Sequence, residues 1–555
     1  MAEKISSASI AEYFSKNLQQ IGFSSNIKAV LTAVKESVDN SLDACEEYRI
    51  LPDIKVTVEK LGPGTHVGTD KIRIRVEDNG PGISEDDIPK VFGELLASSK
   101  FGRGKCTRGQ QGLGVVAVNI YSQLTNAAGV RVITKRKGKK AIKCIAEVDI
   151  KNNKGILKEK EVYDWDKPHG TIVEFVIDGR IQANGEIGLI NYLTGTAIVN
   201  PHMSLTYNIH GFERATLARV TTEMPEVPEA VEPHPHTMKL GEFIQLSHSY
   251  GKNKISDWLK NGFSRVNDSV LKELSKKGMS SFMNRTADSL KEDEIKNLFK
   301  GIQECKLLPP VTKSVISIGE ESFSKSIKRL GNVDFFEIIS RNPCVCDFKP
   351  VLVEVAVART TEKNEQDSPA QILRFANRVP LQFDRSSCAI VKAVESVNWK
   401  AYGMNQSKNS VPIGSYIIAV SVVSPFIKFK NASKETIDAS EELVEEIRKA
   451  LMQVGQKLAK HIKREAKAAE LAQKMRHIEQ FCPILINGLI EITKSSEARK
   501  KRVEKGLLVV LGKDTLETKT ELEKADKVLD KAKEKKIDDS IISDGNDLQK
   551  LMDDL

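Results

Sequence analysis

Cysteine is scarce, with eight residues in a chain of 555, and no Cys-x-x-Cys pair occurs. That density builds no disulfide framework and offers no zinc site of the usual ligand spacing. Cys344-Val345-Cys346 puts two thiols on one side of a strand, a packing arrangement. His234 and His236 stand in a Pro-rich stretch without acidic or Cys partners, so no metal is expected there. Long apolar runs are missing as well. The longest, Tyr416 to Ile427, is broken by Ser421, Ser424 and Pro425. It falls short of the roughly 20 residues a membrane span needs and reads as a buried strand. The opening MAEKISSASIAEYF lacks the apolar block of a secretory leader. The expectation is a soluble, reduced, cytoplasmic protein with no membrane partner. Two phosphate-binding signatures are absent: there is no Gly-x-x-x-x-Gly-Lys-Ser/Thr, and Gly109, Gly112 and Gly114 are spaced in the wrong order for Gly-x-Gly-x-x-Gly. No strong excess of one charge exists either. Lys and Arg number 84 against 75 Asp and Glu, a net charge of +9 that suits contact with nucleic acid without requiring it.

Hydrophobic residues make up 40% of the chain, which excludes wholesale disorder. At roughly 100–200 residues per domain, three or four domains are expected. Residues 1–225 alternate helical and strand patterns. In 25–50, Ile27, Val30, Leu31, Val34, Val38 and Leu42 recur at three- and four-residue spacings and predict an amphipathic helix. Lys71 to Glu77 alternates like a half-buried strand and runs into Asp78-Asn79-Gly80-Pro81-Gly82; Val130–Thr134, Lys143–Ile150 and Gly170–Ile177 read as further strands. The first 24 residues carry an apolar stripe (Ile10, Tyr13, Phe14, Leu18, Ile21) that suits either an arm for a second protomer or a first helix on its own domain. A Pro- and Glu-rich linker at 224–236 opens a second segment, 226–306, whose short helical patterns are broken by Gly251, Gly262 and Gly278. Residues 307–480 return to α/β patterning, with strands at Pro350–Val357 and Ser415–Val423, and close on one long helix over 440–480. The remainder, 481–555, is a charged tail with an acidic end and is expected to be weakly ordered.

Four elements point to chemistry. Glu36 and Asn40 are four apart on the predicted helix and share a face. A carboxylate there can take a proton from water, and an amide oxygen can ligate Mg²⁺, although a solvated helix face carries the same pair. Asp78 ends a strand and can accept a hydrogen bond from an exocyclic amine, while Gly80 and Gly82 let a flat ring lie on the backbone; an ordinary turn has the same composition. Ser98-Ser99-Lys100 precedes the basic, Gly-rich segment 101–114, which runs into an apolar helix at Val115. Backbone N–H groups and the helix dipole at Gly112 and Gly114 suit phosphate, and a mobile loop is the alternative. Pro168-His169-Gly170-Thr171 opens a strand whose hydroxyl could reach the same pocket.

In this order and spacing the four elements resemble the motifs of the Bergerat-type ATPase superfamily of gyrase, Hsp90 chaperones, histidine kinases and MutL proteins. The resemblance implies ATP and Mg²⁺ as cofactors and an N-terminal α/β sandwich. It implies Glu36 as general base, Asn40 as Mg²⁺ ligand, Asp78 reading adenine beside Gly80 and Gly82, and Thr171 near the adenine end. The lid over the phosphates would be 98–114, with Ser98, Ser99, Lys100, Gly109, Gln110, Gly112, Leu113 and Gly114. Histidine kinases have no hydrolytic carboxylate in the place of Glu36, so hydrolysis is favoured over phosphotransfer. The lid RGQQGLGVVAV, the segment Gln371–Leu381 and Asn398-Trp399-Lys400-Ala401-Tyr402-Gly403 are similar to the topoisomerase VI B-subunit family, archaeal and plant, over about residues 1–480.

That second resemblance implies an α/β multidomain chain: an ATPase domain (1–225), a small all-α helix–two-turn–helix domain (226–306), an α/β transducer with a long C-terminal helix (307–480) and a tail (481–555). It implies self-dimerisation on ATP binding and an A2B2 heterotetramer with the DNA-cleaving A subunit. It also implies passage of duplex DNA without sequence reading. A transducer lysine would reach the γ-phosphate; Lys434 is matched to it, with Lys428 and Lys430 close by. The chain shows no TOPRIM-like acidic cluster and is not expected to cut DNA alone. Lys-rich 252–277 and 494–505 could touch phosphates or simply be solvated. The alternatives are a MutL- or Hsp90-like ATP-dependent protein clamp, and a DNA-dependent scaffold with a non-hydrolysing site.

Overall fold

A computed structural model describes residues 9–503 and 506, apart from 98–103, 110–111, 313, 328, 330, 332, 361–367 and 432. Of the expected site residues, Ser98, Ser99, Lys100 and Gln110 lie outside the described residues, as do 504, 505 and all of the expected tail beyond 506. The chain divides into two units, residues 1–460 and 461–555.

The first unit opens on helix α1 (Ile10–Lys16) and a short 3-10 turn, followed by α2 (Asn26–Glu47). Ser25 caps α2 by accepting the Lys28 N–H. Strands β1 (Asp53–Pro63) and β2 (Asp70–Asp78) pair antiparallel. Short α3 (Ile88–Gly93) and then α4 (Gly114–Asn126) precede β3 (Val130–Lys135), β4 (Ala141–Asp149), β5 (Lys154–Tyr163) and β6 (Gly170–Gly179). Helix α5 (Leu189–Val199), β7 (Ser204–Ile209) and β8 (Ala215–Leu217) complete it. The eight strands order as β5-β4-β3-β6-β2-β1-β7-β8, with only β1 and β7 parallel neighbours. The core lies between the sheet and α2 and α4, with Val34, Val38, Leu42, Ile72, Ile74, Val116, Ile120 and Phe175 buried.

One alternation carries an acid into this core. In β2 the buried positions are Ile72, Ile74, Val76 and Asp78. A strand turns every second side chain to the same face, so the phase that buries three aliphatics also delivers a carboxylate to the layer where α2 packs.

The two alternatives for the N-terminal stripe divide by residue. Phe14, Leu18 and Ile21 pack on their own core, whereas Ile10 and Tyr13 are exposed.

The linker carries no helix or strand before a 3-10 turn at Pro235–Thr237, and it is in contact with its surroundings. Val231 N–H donates to Gly104 O (3.3 Å), and Gln303 donates to Pro235 O (2.8 Å). Then come α6 (Leu240–Tyr250), α7 (Ile255–Gly262), α8 (Asp268–Leu274), α9 (Ser280–Met283) and α10 (Glu292–Gln303). They close on the aromatic group Phe243, Trp258 and Phe263. Helix α11 (Glu320–Ile327) leads to a second sheet of β9 (Val333–Ser340), β10 (Cys344–Cys346), β11 (Lys349–Thr360), β12 (Gln371–Ala376) and β13 (Val379–Pro380), with a last strand, Tyr416–Val423, between β11 and β12. Helix Ala389–Ser396 follows β13 in the chain, and its Ala389 N–H donates to Ile437 O (3.2 Å). The long helix runs Glu441–Thr493, further than the expected 480, and carries Pro483 inside it. A proline removes one N–H and crowds the preceding turn, yet the helix continues past Pro483 to Thr493.

Candidate active site

A cavity of ≈ 300 Å³ opens between α2, the end of β2, the start of α4 and the loop that carries Lys434. Glu36, Asn40, Asp78, Gly82, Gly109, Gly112, Leu113, Gly114, Thr171 and Lys434 line it. Gly80 does not. Neither Lys428 nor Lys430 is among the lining residues.

At the inner end, Asp78 is 6% exposed. Its Oδ2 accepts from Ser41 Oγ (2.7 Å), and its Oδ1 accepts the N–H groups of Gly80 (2.8 Å) and Thr171 (3.1 Å). Burial pushes the Asp78 carboxyl above its usual range, and those three donors partly offset the rise. The hydroxyls of Thr171 and Thr134 are 3.2 Å apart, and the Ile83 N–H donates to Thr134 (2.8 Å). The two turn glycines differ in role. Gly80 serves through its amide. Gly82 has φ +76°, and a Cβ there would lie 2.2 Å from the Lys135 carbonyl, so β3 itself requires glycine.

At the other end, α4 begins at Gly114. A Cβ on Gly114 would lie 1.8 Å from Glu36 Oε2, so the carboxylate rests directly against this turn. Glu36 and Asn40 take the less buried face of α2, while Ser37, Asp39, Ser41 and Asp43 are buried. Lys434 sits at φ +54° and donates to the carbonyl of Arg108 (2.7 Å). Burial lowers its pKa, opposed first by the nearby Glu36. Its loop is pinned to α2 by Lys28–Glu435 (3.0 Å) and by Lys35 Nζ donating to Ser433 O (3.0 Å).

Sequence reasoning missed Ser41 and a buried charge network behind the cavity. Arg108, 3% exposed, donates to Asp43 (2.8 Å) and Glu46 (2.6 Å). Arg378 donates to both Glu46 oxygens (3.1 and 2.7 Å), and His202 contacts the same carboxylate (3.0 Å). Burial works against the Glu46 charge, but the two guanidiniums hold its pKa well below the usual range. The available signals were Ser41 one turn after Ser37 on the expected helix, and the paired arginines of RFANR, which the sequence alone connects to nothing. Asp39 is buried beside Tyr192, whose hydroxyl lies 3.4 Å from it, and burial lifts its pKa to about 7.

Residues 25–178 match the family model described as "Histidine kinase-, DNA gyrase B-, and HSP90-like ATPase". With a buried strand-end carboxylate and a helix-borne Glu and Asn around one cavity, the class is an ATPase of that nucleotide-binding fold. Residues 310–474 match a second family model, "Topoisomerase VI B subunit, transducer". Relatives named as the B subunit of type 2 DNA topoisomerase 6 extend the match. That of Archaeoglobus fulgidus is 34% identical over 506 residues, 91% of this chain and 82% of the relative. That of Methanococcoides burtonii is 35% identical over 88% of this chain and 78% of the relative. That of Methanothermobacter thermautotrophicus is 33% identical over 88% of this chain and 92% of the relative. The chain belongs to the family of type 2 DNA topoisomerase 6 B subunits.

Among the described residues no helix is long and apolar enough to cross a membrane, and no group of three or more His, Cys, Asp or Glu could hold a metal ion.

Proposed function

We propose that this chain is the ATP-binding and hydrolysing subunit of a type II DNA topoisomerase, working with DNA and a partner A subunit. The observation that carries the reading is one cavity lined both by Glu36, Asn40 and Asp78 of the ATPase fold and by Lys434 of the segment matched as transducer. A ligand there touches both parts, so its presence is felt by both.

Adenine fits the Asp78 end: a carboxylate held by three donors keeps lone pairs for an amine, and Pro81, Ile83, Phe92 and Val173 offer apolar surface to a flat ring. Phosphates fit the Gly112–Gly114 end, where α4 presents free N–H groups. Glu36 takes the proton of the attacking water as the bond from the γ-phosphorus to the bridging oxygen breaks and ADP leaves. Lys434 brings positive charge to the transferred group. Asn40 is the residue that would hold Mg²⁺; a single amide oxygen suits an ion that keeps several waters and takes phosphate oxygens as further ligands. Such an ion would neutralise phosphate charge.

Hydrolysis gates rather than drives, since relaxing supercoils is already downhill. We assign the domains as 1–225, 226–306, 307–480 and 481–555, with ATP-dependent self-dimerisation, an A2B2 assembly and passage of duplex DNA without sequence reading. Light scattering with a non-hydrolysable ATP analogue and Mg²⁺ tests the gate. Wild type and Glu36→Ala should pass from monomer to dimer and Asp78→Ala should not. A wild type that ignores the analogue overturns the gate for the isolated chain.

A further inference from the structure

Lys434 is held from two directions, and both lead to Glu46. On one side its ammonium rests on the carbonyl of Arg108, and the guanidinium of that same residue is fixed to Asp43 and Glu46. Asp43 also accepts the Gly109 N–H (3.1 Å), so Arg108 and Gly109 of the lid are tied to α2 at the same point. On the other side, Arg378 reaches Glu46 with both terminal nitrogens from the turn between β12 and β13. That turn holds Asn377 and Arg378 at φ +48° and +63°, the geometry of a two-residue hairpin loop, which suits Asn and is uncommon for Arg. Asn377 clasps Ser424 twice, accepting its N–H (2.9 Å) and donating to its carbonyl (3.0 Å). Ser424 starts the segment that leads to Lys434 ten residues on. Asn200 closes the ring, accepting from Arg108 (2.5 Å) and donating to the Arg378 carbonyl (3.2 Å).

We propose that Arg378 and Glu46 are a positioning pair for ATP turnover. Glu46 on α2 takes one arginine from the lid and one from the transducer, so lid end, transducer turn and Lys434 hold one geometry together. Neither residue lines the cavity. A shared carboxylate between two buried guanidiniums is strongly directional, because each arginine presents a planar fork. The two-residue hairpin turn fixes the direction in which Arg378 leaves the sheet, since both of its residues hold the left-handed conformation this turn requires. Moving the transducer relative to α2 must break this contact, and breaking it frees the perch of Lys434. Nucleotide affinity rests on other groups, chiefly Asp78 and Thr171. The pair should therefore act on turnover and leave ATP binding nearly alone.

The inference rests on the reading of Lys434 given above, and the test separates the two. ATPase kcat and KM are measured on the full chain for wild type, Arg378→Met, Arg378→Lys, Lys434→Ala and the double variant Arg378→Met/Lys434→Ala, with thermal unfolding alongside. Arg378→Met should lower kcat at least tenfold and change KM less than threefold. Arg378→Lys, which keeps the charge without the fork, should fall between it and wild type, and it decides the matter through the same kcat-against-KM split if the Met variant does not fold. The double variant should be no slower than Lys434→Ala alone. A kcat loss below threefold for Arg378→Met, or losses that multiply in the double variant, overturn the proposal. If Lys434→Ala alone turns over like wild type, the role of Lys434 falls, and the kcat and KM of the Arg378 variants still judge the pair through the lid.

Discussion

Replacing Gly114 by alanine tests the geometry of hydrolysis with a single methyl group. The new Cβ would lie 1.8 Å from Glu36 Oε2 and 2.3 Å from Glu36 Cδ, where an ordinary contact begins at 3.4 Å. The nearest atoms belong to the far end of a flexible side chain. The protein can therefore keep its fold by moving the carboxylate back about 1.6 Å to that 3.4 Å contact. Stability should change little, because alanine is the better helix former and Gly114 is the first residue of α4. Nucleotide affinity, which the proposed reading assigns to Asp78 and Thr171 at the other end, should hold within a few-fold. Turnover should not hold: a general base displaced by more than 1 Å costs on the order of 10²-fold, or about 2.7 kcal/mol of barrier. Calorimetric titration with a non-hydrolysable analogue, thermal unfolding and steady-state ATPase rates read the three quantities separately. Full activity in Gly114→Ala refutes the placement of Glu36 against the phosphate turn. A loss of analogue affinity as large as the loss of rate refutes the separation of the two ends.

Gly82→Ala should destabilise the N-terminal α/β region by at least ~2 kcal/mol, because a positive φ and a 2.2 Å approach to a backbone carbonyl cannot be relieved by a side chain; an unchanged melting temperature contradicts this. Asp39→Asn should stabilise the protein relative to wild type more at pH 8 than at pH 5. With a folded pKa of about 7 against 3.8 unfolded, the native state binds the extra proton between those values, so wild-type stability falls as pH rises through that window and the amide escapes the fall. Equal melting shifts at both pH values would count against a buried, protonated Asp39. Burial also lowers the Lys434 pKa, so the alkaline limb of kcat should fall at lower pH than an ordinary lysine gives and disappear in Lys434→Arg, followed as a pH–rate profile.

The sequence made the site legible wherever a local period or turn placed a residue. Glu36 and Asn40 follow from helical spacing, and Asp78 from a strand whose alternation it terminates. Lys434 could be matched but not separated from Lys428 and Lys430, because three lysines in one loop differ only in where a fold 300 or more residues long delivers them. Glu46 and Arg378 stayed hidden for the same reason: 332 positions separate them, and each alone looks like an ordinary surface charge. Strand β5 was missed because most of its residues are exposed and half are charged, so it shows no clear apolar phase.

The most direct test of the central claim is single-turnover ATP hydrolysis by Glu36→Gln at saturating ATP and Mg²⁺, with bound nucleotide counted in the same samples. The cavity geometry predicts one ATP bound per chain, as in wild type, and hydrolysis slowed by at least ~10²-fold. Hydrolysis at the wild-type rate with ATP fully bound would contradict it, and the base would have to be sought elsewhere in the cavity.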